Sequence, residues 1–95
     1  SADTFADGLA CRVPAADAVP VINEHAARVI TVSEAEIQDA MQLYYTATHN
    51  LSEGAGAAAL AGLMQEHSQH TGKTTGVVLS GGNIDRALYT QILSG

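Results

Sequence analysis

The chain has no tryptophan, one phenylalanine and one cysteine in 95 residues. The shortage of aromatics limits the core. Much of the apolar content is alanine, which supplies little area per residue. A chain this short also buries only about 60–65% of its unfolded surface. A core this thin implies a part of something larger. The lone Cys11 excludes an internal disulfide and accords with a reducing compartment, which makes the cytoplasm the expected location. Basic residues are scarce too: four Lys and Arg face ten Asp and Glu, for a net charge of −6. That excludes a nucleic-acid groove and an anionic membrane surface, both of which need clustered cations. No apolar run approaches membrane-spanning length. The first ten residues hold two Asp, a Gly and no basic cluster, so they do not read as a signal peptide.

What is present reads as alternating elements. The opening SADTFADGLACRVP has no period, and Gly8 and Pro14 punctuate it. Ala18, Val19, Ile22, His25 and Ala26 share a helical face. Pro20 argues against a continuous helix there, so a short helix starting at Pro20 or ending near it is expected. Arg28 to Val32 is β-branched and short and predicts a buried strand. Ser33-Glu34-Ala35-Glu36 is a capping box, with the Ser33 hydroxyl and the Glu36 carboxylate satisfying each other's backbone. Ile37, Ala40, Met41, Tyr44, Tyr45 and Thr48 then repeat at helical spacing to about His49. Asn50-Leu51-Ser52 breaks that helix. Glu53 to Glu66 is nearly all Ala, Gly and Leu and predicts a closely packed helix. Gly54 and Gly56 in its first turn let other groups approach the backbone. His67 to Gly72 is a polar connection, and Thr74 to Leu79 predicts a second buried strand. Asn83 or Asp85 caps a last helix from Arg86 to Leu93. The pattern is α/β, with parallel strands and packing helices.

Several motifs dissolve on inspection. Thr71-Gly72-Lys73-Thr74 resembles the end of a phosphate-binding loop, but His67 stands where the first glycine belongs. It also precedes a strand rather than following one. Gly54-Ala55-Gly56 matches a relaxed dinucleotide fingerprint, but a helix precedes it where a strand is required. His67 and His70 are spaced for one helical side, yet no third metal ligand is evident. Cys11 has no base within reach in the sequence and is expected to be a small buried side chain.

Two positions stand out. Glu53 leads into an apolar helix, where the helix N-terminus favours its charge. Burying that charge demands polar company, so capping and ligand contact are both open. Ser80 ends a strand and is followed by Gly81 and Gly82. The C-terminal ends of parallel strands are where open α/β sheets bind ligands, and the glycines permit close backbone approach. The same four residues, Ser80-Gly81-Gly82-Asn83, also suit a plain strand-to-helix turn.

Four segments occur together in order and spacing: Thr4-Phe5-Ala6-Asp7-Gly8-Leu9-Ala10, Ile30-Thr31-Val32-Ser33-Glu34, Ser52-Glu53-Gly54-Ala55-Gly56-Ala57-Ala58-Ala59-Leu60, and Leu79-Ser80-Gly81-Gly82-Asn83-Ile84-Asp85. Over essentially the whole chain they resemble the C-terminal part of the catalytic domain of the threonine dehydratase and serine racemase family. These are pyridoxal-phosphate enzymes of fold type II, the tryptophan synthase β-like fold. The resemblance implies that Ser80 hydrogen-bonds the pyridine nitrogen of the cofactor and that Gly81 and Gly82 pass near the ring edge. It implies that Glu53 lies close to the ring, that Asp7 and Gly8 form a turn bordering the active site with the Gly8 backbone near the cofactor, and that Asn83 shapes the Ser80 loop. A neutral hydroxyl leaves the ring nitrogen largely unprotonated, which weakens the electron sink and favours expulsion of a β-hydroxyl over reprotonation. The implied reaction is elimination of water from threonine or serine, giving a 2-oxo acid and ammonia.

The same resemblance marks what residues 1–95 do not hold. The Schiff-base lysine, the phosphate-binding loop, the opposing acid/base serine and the cation ligands of the family belong upstream of these motifs. The only lysine, Lys73, matches none of them. No catalytic residue is therefore expected in this segment, and no metal ligand. The expected partners are a small amino acid substrate, the remainder of the catalytic domain and further copies in a homo-oligomer. Serine racemase or a related β-hydroxy amino acid ammonia-lyase is the alternative within the family. A small non-catalytic interaction domain is the alternative outside it. Exposed apolar helix faces would favour the enzyme segment, and a closed core the interaction domain.

Overall fold

The computed structural model describes residues 3–95, so the first two residues of the irregular opening lie outside the description. Among the described residues four α-helices follow one another: α1 Ala18–His25, α2 Glu34–Leu43, α3 Gly54–Gln65 and α4 Arg86–Ser94. Short 3-10 turns at Asp7–Leu9 and His67–Gln69 precede α1 and follow α3.

α2 begins where the sequence demands. The Glu36 N–H donates to Ser33 Oγ at 3.1 Å, and the Ser33 N–H donates to Glu36 Oε1 at 2.8 Å. Two backbone donors at the helix start are thereby satisfied. The helix widens into a π turn, Tyr44–Thr48, and stops at His49, whose φ of 57° is left-handed. The expected end near His49 is borne out. α4 is capped by Asp85 rather than Asn83, its side chain accepting from the Ala87 N–H at 3.3 Å.

α1 corrects one expectation. It runs through Pro20, which sits third in the helix. The first four N–H groups of a helix have no internal partner, so a proline there removes nothing. No residue of α1 is buried, and Val21 and Ile22 of its apolar face are exposed.

The core is small. Ile37, Ala40 and Met41 of α2 meet Ala57 and Ala61 of α3 and Tyr89 and Ile92 of α4, with Ala6 closing one end. Alanine and glycine on α3 let α2 pack closely against it. Gln42 links α2 to the end of α4, its Nε2 donating to the Ile92 carbonyl at 2.7 Å.

The two expected strands are not formed. Among the described residues no strand is present, and 28–32 and 74–79 have no regular structure. A strand exists only as part of a ladder, and no described segment pairs with either. Nor are they buried: Val29 and Val78 are 77% and 73% exposed. The 28–32 segment instead lies along α3. Gln65 Nε2 donates to the Thr31 carbonyl at 2.9 Å, and the Ile30 side chain touches Gly62. Among the described residues no helix is long and apolar enough to cross a membrane.

Two carboxylates at these junctions titrate below the ordinary glutamate range. Glu36 is held down first by the Ser33 N–H and then by the Gln65 side chain, and Glu66 first by its hydrogen bond from Arg28. A carboxyl depressed on folding contributes stability above its unfolded value, and that contribution is lost as pH falls through the folded value. Melting temperature should therefore drop between about pH 5 and about pH 2, and Glu36→Gln should shrink that drop. An equal drop in wild type and Glu36→Gln, followed by circular dichroism, would contradict this role.

Candidate active site

The N-terminus of α3 gathers three stretches that lie far apart in sequence. Glu53 is its N-cap residue, extended at φ −80° and ψ 169°. The Glu53 N–H donates to the Gly81 carbonyl at 3.0 Å, which ties the Ser80-Gly81 loop to the start of the helix. The half-buried Glu53 carboxylate lies against Gly81, and Oε1 occupies the space where a Cβ at position 81 would go. On the helix side, a Cβ on Gly56 would stand 2.5 Å from the Gly81 carbonyl oxygen and 3.1 Å from its nitrogen. Gly81 is thus held between Glu53 and Gly56, and only glycine fits at either backbone. Gly82 passes the Leu51 carbonyl at a distance that leaves 2.8 Å for a Cβ.

The third stretch is the turn at Asp7–Leu9. A Cβ on Gly8 would stand 2.9 Å from Ala55 Cβ, and a Cβ on Gly54 would meet the Phe5 ring at 2.8 Å and Ala6 Cα at 3.0 Å. Two successive residues of α3 therefore receive this turn, and Gly56 receives the Ser80 loop. The reading that Gly54 and Gly56 admit close backbone approach is borne out.

Of the residues singled out in the sequence, Ser80, Gly81, Glu53 and Gly8 are brought to one end of α3. Asp7 is exposed on the turn beside Gly8, and Asn83 is exposed further along the Ser80 loop. The Ser80 side chain is exposed at the lip, open to a ligand from outside these residues. Lys73 follows the far end of α3, and twelve helical residues span about 18 Å, which separates it from this group. A concavity of about 750 Å³ lies further along α3 among Ile30, Val32, Ile37, Ala58, Ala59 and Leu63. It includes none of the four.

The sequence marks Ser52 only by its place in a helix-breaking triplet and at the head of the Ser52–Leu60 segment, with no role attached. It is completely buried next to Glu53, and its Oγ has no hydrogen-bond partner. Cys11, expected to be buried, is exposed, its Sγ donating to the Val13 carbonyl at 3.2 Å. A small apolar side chain stays at the surface here because the whole 10–17 stretch is exposed. His67 and His70 take up separate partners, the Met64 carbonyl for one and Glu66 with Thr75 for the other. Among the described residues no group of three potential metal ligands is present.

A flat heteroaromatic ring suits this wall. The glycine contacts seat the Ser80-Gly81 loop against the start of α3, and the exposed polar group at its edge is a neutral hydroxyl that can donate to a ring nitrogen. The residues present fit the ring edge of pyridoxal phosphate and supply nothing for its phosphate or its aldehyde.

Comparison with known proteins agrees. The family model described as pyridoxal-phosphate dependent enzyme matches residues 1–81, and the chain belongs to that family. It is 40% identical over 82 residues to the L-threonine ammonia-lyase of Geobacter sulfurreducens, covering 86% of this chain and 20% of that protein. It is 30% identical over 92 residues to the L-threo-3-hydroxyaspartate ammonia-lyase of a Pseudomonas species, covering 97% of this chain and 29% of that protein. The crystal structure of a T.th. threonine deaminase superposes with a TM-score of 0.78 at 34% identity, over 87% of this chain and 30% of that one. The chain thus spans between a fifth and a third of the length of these relatives.

Proposed function

We propose that this chain is the C-terminal segment of the catalytic domain of a pyridoxal-phosphate-dependent ammonia-lyase acting on a β-hydroxy amino acid such as threonine, serine or 3-hydroxyaspartate. The observation that carries the proposal is the convergence of Asp7-Gly8, Glu53 and Ser80-Gly81 on the N-terminus of α3, with a neutral hydroxyl at the lip. The cofactor, when bound, stabilises negative charge at the substrate α-carbon. The chain's own residues set how strongly. Ser80 donates one hydrogen bond to the ring nitrogen and, being uncharged, leaves that nitrogen largely unprotonated. Glu53 and Gly56 hold Gly81, and through it Ser80, in place. The Asp7-Gly8 turn closes the adjacent edge. The substrate loses water across its α and β carbons, and the resulting enamine takes up water to release a 2-oxo acid and ammonia.

The molecule's shape supports a part within a larger domain. Its radius of gyration is 14.2 Å, against about 12 Å for a compact domain of this length. The apolar face of α1 and the Val29 and Val78 side chains are exposed, whereas a free-standing interaction domain would close them off. We assign their cover to the remainder of the catalytic domain, where 28–32 and 74–79 would join a parallel sheet. Homo-oligomers, a cytoplasmic location and no nucleic-acid or membrane partner complete the proposal. The acidic balance and the exposed thiol of Cys11 accord with these last three.

The test is an assay of the full-length protein loaded with pyridoxal phosphate and offered threonine, serine or 3-hydroxyaspartate. Equal release of ammonia and 2-oxo acid from at least one of them is the expected result. A yellow, cofactor-loaded protein that releases neither from any of the three would overturn the reading.

A further inference from the structure

We infer that Glu34 is a positioning residue for the Asp7-Gly8 turn, a role that rests on the function proposed above. Glu34 is the first residue of α2. The capping needs of that helix are met by Ser33 and Glu36, which leaves the Glu34 carboxylate available to another segment. It turns to residues 4 and 5. Thr4 Oγ1 donates to Glu34 Oε1, and the Phe5 N–H donates to Glu34 Oε2 at 3.3 Å.

The link continues. The Thr4 hydroxyl, its proton directed at Glu34, accepts from the Ala6 N–H at 3.1 Å. A hydroxyl has one donor and two acceptor sites, so both bonds can be held at once. A donor engaged with a charged acceptor also strengthens the bond its oxygen accepts. Ala6 is fully buried and packs against Gly54. The turn starts from it, with the Leu9 N–H donating to the Ala6 carbonyl at 2.9 Å and the Ala10 N–H to the Asp7 carbonyl at 3.0 Å. Gly8 in that turn rests on Ala55. One carboxylate on α2 thus sets the height of the turn over the start of α3, without touching any group of the candidate site.

The test is a titration of the full-length apo-protein with pyridoxal phosphate, followed by absorbance of the bound chromophore. Melting temperatures of the same samples are measured without cofactor. Glu34→Ala, which removes the bonds from Thr4 and Phe5, and Thr4→Val, which removes those to Glu34 and from Ala6, should each raise the dissociation constant about fivefold or more. The effects in the double variant should be less than additive, because the two changes share the Thr4–Glu34 bond. Glu34→Gln should recover most of the affinity, since its carboxamide oxygen still accepts from Thr4. Lower melting temperatures with unchanged cofactor affinity would reduce Glu34 to a structural contact and overturn the inference, as would additive effects in the double variant. A wild-type protein that takes up no pyridoxal phosphate would overturn the proposed function itself. Uptake by wild type with no response to Glu34→Ala would overturn only the positioning role.

Discussion

Gly56→Ala in the full-length protein is expected to lower cofactor affinity and turnover by about a hundredfold, the scale on which a displacement of about 1 Å disables a site. The added methyl would stand 2.5 Å from the Gly81 carbonyl oxygen, and its neighbours there are backbone rather than a flexible side chain. Either α3 or the Ser80-Gly81 loop must move. The loop is the softer of the two, and moving it breaks the 3.0 Å hydrogen bond from the Glu53 N–H. Ser80 then loses its aim. Alanine is favoured over glycine in a helix by roughly 0.5–1 kcal/mol, so propensity alone would make the change stabilising. Retained affinity in Gly56→Ala, by the same absorbance titration, would mean that the loop is not held by this contact.

Ser80→Asp is expected to change the outcome of the reaction as well as its rate. A carboxylate beside the ring nitrogen would favour its protonated form by roughly tenfold or more. The electron sink becomes stronger, and return of a proton to the α-carbon competes better with loss of the β-hydroxyl. Elimination should fall by about tenfold relative to exchange of the α-proton with solvent. Ammonia release and deuterium incorporation measured on one sample give the ratio. An unchanged ratio would mean that Ser80 does not face the ring nitrogen.

Local features of this chain are legible in its sequence, and features that need a distant partner are not. The capping box at Ser33 and Glu36 is a matter of three residues, and it forms as read. The Gly-Ala face of α3 announces close packing, and the structure supplies the neighbours, Gly81 and the Asp7–Leu9 turn. The 28–32 and 74–79 stretches carry strand composition, but composition cannot form a ladder without a neighbour. Pro20 looks like an obstacle only while the helix start is unknown; with the start two residues further back, it becomes harmless. The Thr4 to Glu34 relay joins positions thirty apart, and nothing in either stretch points to the other. Ser52 shows the same limit, because its burial depends on what packs over the start of α3. Three of the site's contributors, Gly8, Glu53 and Ser80, are marked by motif resemblance. Their meeting at one helix end is a tertiary fact.

Ser80 stands at the centre of the proposed chemistry, as a neutral donor to the pyridine nitrogen of the cofactor. The most direct measurement is the NMR shift of an isotopically labelled pyridine nitrogen in the full-length, cofactor-loaded protein, compared between wild type, Ser80→Ala and Ser80→Asp. The expected result is an unprotonated, hydrogen-bonded nitrogen in wild type, loss of that hydrogen bond in Ser80→Ala and a pyridinium in Ser80→Asp. A nitrogen already protonated in wild type, and indifferent to either change, would contradict that role.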